Sequence, residues 1–120
     1  MANAIKKLKF ELRRNNSQNF IFELFNQNTF DEERFHRFIG SIVMFVDEYS
    51  VHQDLSKKDY FYCINEIVKI CEDILWAFTR HYRKDDTFVI KNFDQIEENL
   101  AQYYMSLREY TEKLILNIQE

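Results

Sequence analysis

The run SKKDYFYCINEIVKICEDILWAFTRHY, residues 56–82, decides the fold. Tyr60, Ile64, Ile67, Val68, Cys71, Ile74, Leu75, Phe78 and Tyr82 recur at helical intervals, which gathers them on one arc of a helix turning about 100° per residue. Ser56, with Asp59 at its third following position, reads as the opening of that helix. Neither proline nor glycine interrupts the run. The spacing therefore predicts one long core helix from Ser56 to Tyr82.

Working outward, the same grammar holds for the rest of the chain. The 120 residues contain no proline and one glycine, Gly40, yet 46% are hydrophobic and 17% aromatic. Proline and glycine together supply about a tenth of an average soluble protein, so their near absence predicts few, regular elements joined by Asn, Asp and Ser connections. Ile5, Leu8 and Leu12 predict a short helix from Ala2 to about Arg14, interrupted at Asn15, Asn16 and Ser17. After Ser17, a candidate cap, Phe20, Ile21, Leu24 and Phe25 form a second compact cluster that either follows the first helix or continues it through a kink. Thr29 followed by Glu32 has capping-box spacing, and Phe35, Phe38, Ile39, Ile42, Val46 and Tyr49 then share one face through about Ser50. Thr87-Phe88-Val89-Ile90 is β-prone but isolated, and reads as extended loop. Asn92, with Gln95 three residues on, opens a last helix along which Ile96, Leu100, Tyr103, Leu107, Tyr110, Leu114 and Ile118 recur. The expectation is an all-α, single-domain antiparallel bundle of four or five helices. Residues 1–28 form an N-terminal helical segment packed on a three-helix core over 29–120.

Composition excludes several function classes. One glycine cannot write a phosphate loop, a nucleophile elbow or a dinucleotide-binding fingerprint. Residues 1–14 hold five Lys/Arg against one acid, leaving eleven against nineteen, or −8, beyond them. An acidic body with a basic tip argues against direct nucleic-acid binding and for a basic protein partner. Lys6, Lys7, Lys9, Arg13 and Arg14 are the residues on which a nucleic-acid or membrane reading would rest. Cys63 and Cys71 lie about 12 Å apart along one helix at 1.5 Å per residue, too far to pair. They read as reduced core thiols of a cytoplasmic protein. No leader-like or membrane-spanning apolar stretch is predicted.

Sites for chemistry are thin. Glu33 and His36 make half of a di-iron carboxylate motif, without the second pair such a site needs, so neither metal nor cofactor is expected. Ribonucleases of the higher-eukaryote and prokaryote nucleotide-binding family place an arginine four to six residues before a histidine. No arginine falls at Phe30 to Glu32, Val46 to Glu48 or Leu75 to Ala77, ahead of His36, His52 and His81. His81, near a helix end, reads as a cation suited to the helix dipole. No enzyme activity is expected.

Binding features are clearer. Tyr62 and Trp76 share an arc with Asn65, Glu66, Lys69, Asp73 and Arg80, where a helical phase calls for polar residues. Two placements fit: Trp76 buried against the N-terminal segment, or Trp76 exposed as an interface anchor, since hot spots are enriched in Trp, Tyr and Arg. Asp47 and Glu48 on the preceding helix, Asp54 in the following loop, and Asp85 and Asp86 after Tyr82 could present an acidic surface to a cationic cleft.

Three stretches carry a family resemblance. They are Phe30-Asp31-Glu32-Glu33-Arg34-Phe35, Phe78-Thr79-Arg80-His81-Tyr82-Arg83-Lys84-Asp85-Asp86, and Ile90-Lys91-Asn92-Phe93. With these, Thr29 to Tyr110 resembles the small all-α immunity proteins encoded beside bacterial polymorphic and contact-dependent growth-inhibition toxins. The resemblance implies a non-enzymatic inhibitor that binds one cognate toxin domain stoichiometrically in the cytoplasm. Such toxins are often nucleases with a basic substrate groove. Asp47, Glu48, Asp54, Asp85 and Asp86 would then supply charge and Tyr62 and Trp76 the anchors, an assignment made from helical phase alone. The expected state is a monomer or weak homodimer. A homodimeric helical adaptor or regulatory interaction module is the alternative.

Overall fold

A computed structural model of the chain describes residues 2–52, 57–83, 85 and 87–119. Asp54, Ser56, Lys84 and Asp86 lie outside the described residues, as do the side chains of Tyr49, His52, Asp59, Leu114 and Ile118. The elements in order are α1 (Ala2–Leu12), α2 (Phe20–Asn26), α3 (Glu32–His52), α4 (Lys57–Tyr82), α5 (Phe93–Ile96) and α6 (Leu100–Gln119), with a single 3-10 turn at Glu97–Asn99 between the last two. Among the described residues the chain is all-helical and has no strand. Among the described residues no helix is long and apolar enough to cross a membrane.

α1 and α6 each pack against both α3 and α4, and α2 packs against α1 and α3. The predicted apolar arcs face inward: Phe35, Phe38, Ile42 and Val46 of α3, Tyr60, Ile64, Ile67, Cys71 and Ile74 of α4, and Tyr103 and Leu107 of α6 are all buried. At one end of the core the rings of Phe20, Phe30, Phe35 and Tyr103 meet with centroids 4.9–5.3 Å apart. Edge-on and offset pairs at this spacing add about 0.5–1.5 kcal/mol each beyond area burial, which ties α2, α3 and α6 together. Tyr82 departs from its predicted place. It is 61% exposed, with its ring edge-on to Phe93 at 5.2 Å. As the last residue of α4 it lies past the point where neighbouring helices can cover it.

Two asparagines build the joints. Asn19, fully buried, accepts from the Phe22 N–H through its Oδ1 and so caps α2. Its Nδ2 donates to the carbonyls of Phe10 and Arg13 at the end of α1. One side chain thus satisfies orphan groups of two helix ends, and the cap is Asn19 where the sequence suggested Ser17. Asn28 has a left-handed φ of 55°, a conformation that asparagine tolerates better than most residues. It closes α2, with the N–H groups of Gln27 and Thr29 both donating to the Glu23 carbonyl.

α3 is capped by Asp31, whose carboxylate accepts from the Arg34 N–H at 3.1 Å. Thr29, the expected cap, instead donates its hydroxyl to the Gln27 carbonyl. Asn92 likewise makes no side-chain cap. It reaches across 62 positions to bond both the N–H and the carbonyl of Phe30, while the Lys91 N–H donates to the Asn28 carbonyl at 2.7 Å. The extended run before it alternates as a strand would, with Phe88 and Ile90 buried and Val89 exposed. In this way the loop after α4 is fastened to the loop before α3.

Candidate functional site

The outward face of α4 is set by what its other faces bury. Tyr60, Cys63, Ile67, Ile70, Ile74 and Ala77 occupy a wide inward arc, which leaves positions 62, 66, 69, 73, 76 and 80 along the remaining stripe. Tyr62 is 51% exposed and Trp76 47%. Four helical turns, about 21 Å, separate them. Trp76 is therefore not covered by the N-terminal segment, although that segment does dock on the bundle.

Each aromatic has a distinct surround. Tyr62 borders a shallow depression of about 440 Å³ together with Lys9, Leu12, Arg13 and Arg14 of the α1 end and Glu66. Between Tyr62 and Trp76, Arg14 forms an ion pair with Asp73 that fastens the tail of α1 to α4. Trp76 lies under the Arg83 guanidinium, 5.7 Å from the ring centroid. Arg83 in turn holds Asp85 through Nε at 3.2 Å and Nη2 at 3.0 Å. A fork of two parallel bonds orients the guanidinium, and a cation over indole favours that rotamer of Trp76.

The described acids of the predicted set, Asp47, Glu48 and Asp85, do not converge. Asp47 is exposed and Glu48 half-buried with its own contact. Both sit near the end of α3 where Phe45 stacks on Tyr60, centroids 5.3 Å apart. Asp85 follows the opposite end of α4, whose last residue, Tyr82, is about 33 Å from Tyr60 along the helix axis. The structure thus joins Trp76, Arg83 and Asp85 into one constellation and places Asp47 and Glu48 at the other pole. Asp85 is paired with Arg83, and among the described residues of the set Asp47 is the exposed acid with no such partner.

The reactive side chains are in structural use. His81 accepts the Ile90 N–H at Nδ1, 3.0 Å away, and stacks on Phe93 at 3.9 Å. Its Nδ1 is an acceptor here, so His81 fastens the following loop where the sequence suggested a cation at the helix end. Cys63 and Cys71 are buried and form no disulfide. Burial pushes the Cys71 thiol up to about 11, against the smaller opposing effect of Thr111, whose Oγ1 lies 3.7 Å from the sulfur. A thiol held protonated in this way is a poor nucleophile at neutral pH. Glu33 and His36 are both exposed on α3. Among the described residues no group of three or more His, Cys, Asp or Glu side chains is placed to hold a metal ion.

A second feature escaped the sequence reading. α1 and α3 enclose an open groove of about 790 Å³, walled by Phe10, Gly40 and Met44. At its base Glu11 is only 2% exposed and is held by Arg37 Nε at 2.7 Å. Burial raises the Glu11 pKa above its ordinary value, against the lowering effects of Arg37 and then Arg34. The signal was present: Glu11 is three residues beyond Leu8 and one before Leu12, on the buried arc of α1, and Gly40 breaks an otherwise glycine-free chain.

Taken together, the fold and this site define an all-helical domain with an exposed aromatic face and a separate lateral groove. No known family model, curated protein or solved structure matches the chain.

Proposed function

We propose that this chain is a non-enzymatic, stoichiometric binding protein that neutralises a bacterial toxin domain, with the outward face of α4 as its contact surface. The observation that carries this reading is Trp76, half exposed and held in place by Arg83 and Asp85. A fixed aromatic gives large contact area with little ordering entropy left to lose on binding. Tyr62 extends the same stripe toward α1. The acidic balance beyond residue 14 favours a basic partner such as a nuclease, whose substrate path this domain would block.

Charge and anchor then have different kinetic roles. Asp47, remote from Trp76, steers encounter, whereas Trp76 and Tyr62 desolvate the contact and slow release. The test is a titration against the C-terminal domain of a large secreted protein encoded immediately upstream, with its nuclease activity followed in parallel. One-to-one nanomolar binding that abolishes activity is the expected result. A chain that binds itself and ignores that domain would support the homodimeric adaptor instead.

A further inference from the structure

We infer that the groove between α1 and α3 is a binding site for a small amphipathic anion, one that joins an apolar body to an acidic head and carries a hydrogen-bond donor. Its volume, about 790 Å³, lies within the roughly 300–1,000 Å³ of small-molecule sites. Phe10 and Met44 are exposed on its walls. Gly40 keeps its centre open, because a Cβ added there would meet nothing within 4 Å. These features set the apolar body.

The polar groups set the rest. Lys6 and Lys7 stand exposed beside the groove, and neither forms an ion pair with the described residues. Arg37 and Glu11 neutralise one another, so the two lysines leave the rim cationic and select an anionic head. Ser41 adds no free donor, since its hydroxyl is bonded to the Phe38 carbonyl at 2.6 Å. Glu11 differs: Oε2 is taken by Arg37, but Oε1 is buried without a hydrogen-bond partner among the described residues. Leaving a buried acceptor unmet costs about 1–3 kcal/mol, so a donor that reaches it gains affinity from the mismatch. Arg37 covers this carboxylate and is itself half exposed. It also donates to the Gln18 carbonyl and lies 5.3 Å from the Phe10 ring centroid, so a ligand N–H or O–H that reaches Oε1 has to displace the guanidinium from these contacts.

Anilinonaphthalene sulfonate has each of these parts: a fused aromatic body, one N–H and one sulfonate. Fluorescence titration of the full chain with this probe is expected to give one saturable site. Gly40→Leu fills the groove on a helix position that favours leucine over glycine, and is expected to weaken binding by about tenfold or more with circular dichroism unchanged. Met44→Glu places a carboxylate in the exposed wall and is expected to weaken binding without filling the groove. Replacing Lys6 and Lys7 by alanine together should weaken it and flatten its salt dependence. Absence of saturable binding by the parent chain would overturn the inference. So would binding that survives both Gly40→Leu and Met44→Glu, because the probe would then sit elsewhere.

Discussion

The two sides of α1 treat charge in opposite ways. Toward α3, a carboxylate is withdrawn from water and depends on one guanidinium, with the Arg37 Nε 2.7 Å from Glu11. Toward α4, Arg14 and Asp73 pair while both remain 40–50% exposed. Burial makes the first pair part of the fold, since loss of either partner strands the other in a low dielectric. Solvent makes the second pair dispensable. The exposed side is also where Tyr62 and Trp76 stand, so that face can be altered for a partner at little cost to stability. The buried side offers shape and an unmet acceptor, features suited to a small ligand.

Removing what both sides share should have the largest effect. Asn19→Ala takes the cap from α2 and the donor from the carbonyls ending α1, leaving several buried groups unmet. We expect a loss of about 2–4 kcal/mol in urea denaturation. Next, Arg37→Ala leaves Glu11 without its partner. Breaking a fully buried pair costs about 3–5 kcal/mol, but Arg37 is half exposed and water can follow it in, so about 1–2 kcal/mol is expected. If Arg14→Ala destabilises as much as Arg37→Ala, the distinction between the two sides fails.

The pH dependence sharpens the same distinction. The Glu11 pKa is raised in the folded state. Between its ordinary value and the raised one, the folded chain binds more protons there than the unfolded chain. Stability therefore falls as pH rises through that window and levels off above it. Relative to Glu11→Gln, the parent chain should lose stability as pH rises from about 4.5. A parent chain that gained stability on this comparison would mean that the Arg37 attraction outweighs burial. The smallest effect belongs to Arg14 and Asp73. A double-mutant cycle should return about 0.2–1 kcal/mol, fading in high salt.

Much of this molecule is legible in its sequence, for reasons that differ by element. α4 could be read directly, because an uninterrupted helical period over Lys57–Tyr82 leaves one consistent inward arc. The same phase put Tyr62 and Trp76 on the outer stripe but left Trp76 open between burial against the N-terminal segment and the exposure it has. The joints were harder. Ser17 and Thr29 have the right chemistry for caps, yet Asn19 and Asp31 perform that role, because one or two residues of loop geometry decide which side chain reaches the free N–H groups. Asn92 looked like a local cap and is a long-range tie to Phe30, which no local pattern encodes. The described candidate acids, Asp47, Glu48 and Asp85, lie apart for a related reason: helical phase fixes the side of a helix but not the distance between its ends. Glu11 was readable by position, as a carboxylate on an apolar arc, though its partner Arg37 lies 26 residues away.

The most direct test of the α4 face uses the chain's single tryptophan. Association and dissociation rates would be measured for the parent chain and Trp76→Ala against the toxin domain proposed above as the partner, with unfolding midpoints recorded for both. The account predicts blue-shifted Trp76 emission on binding, and for Trp76→Ala an unfolding free energy within about 0.5 kcal/mol of the parent but dissociation faster by about tenfold or more. Unchanged emission together with unchanged dissociation would contradict it and place the contact elsewhere on the molecule.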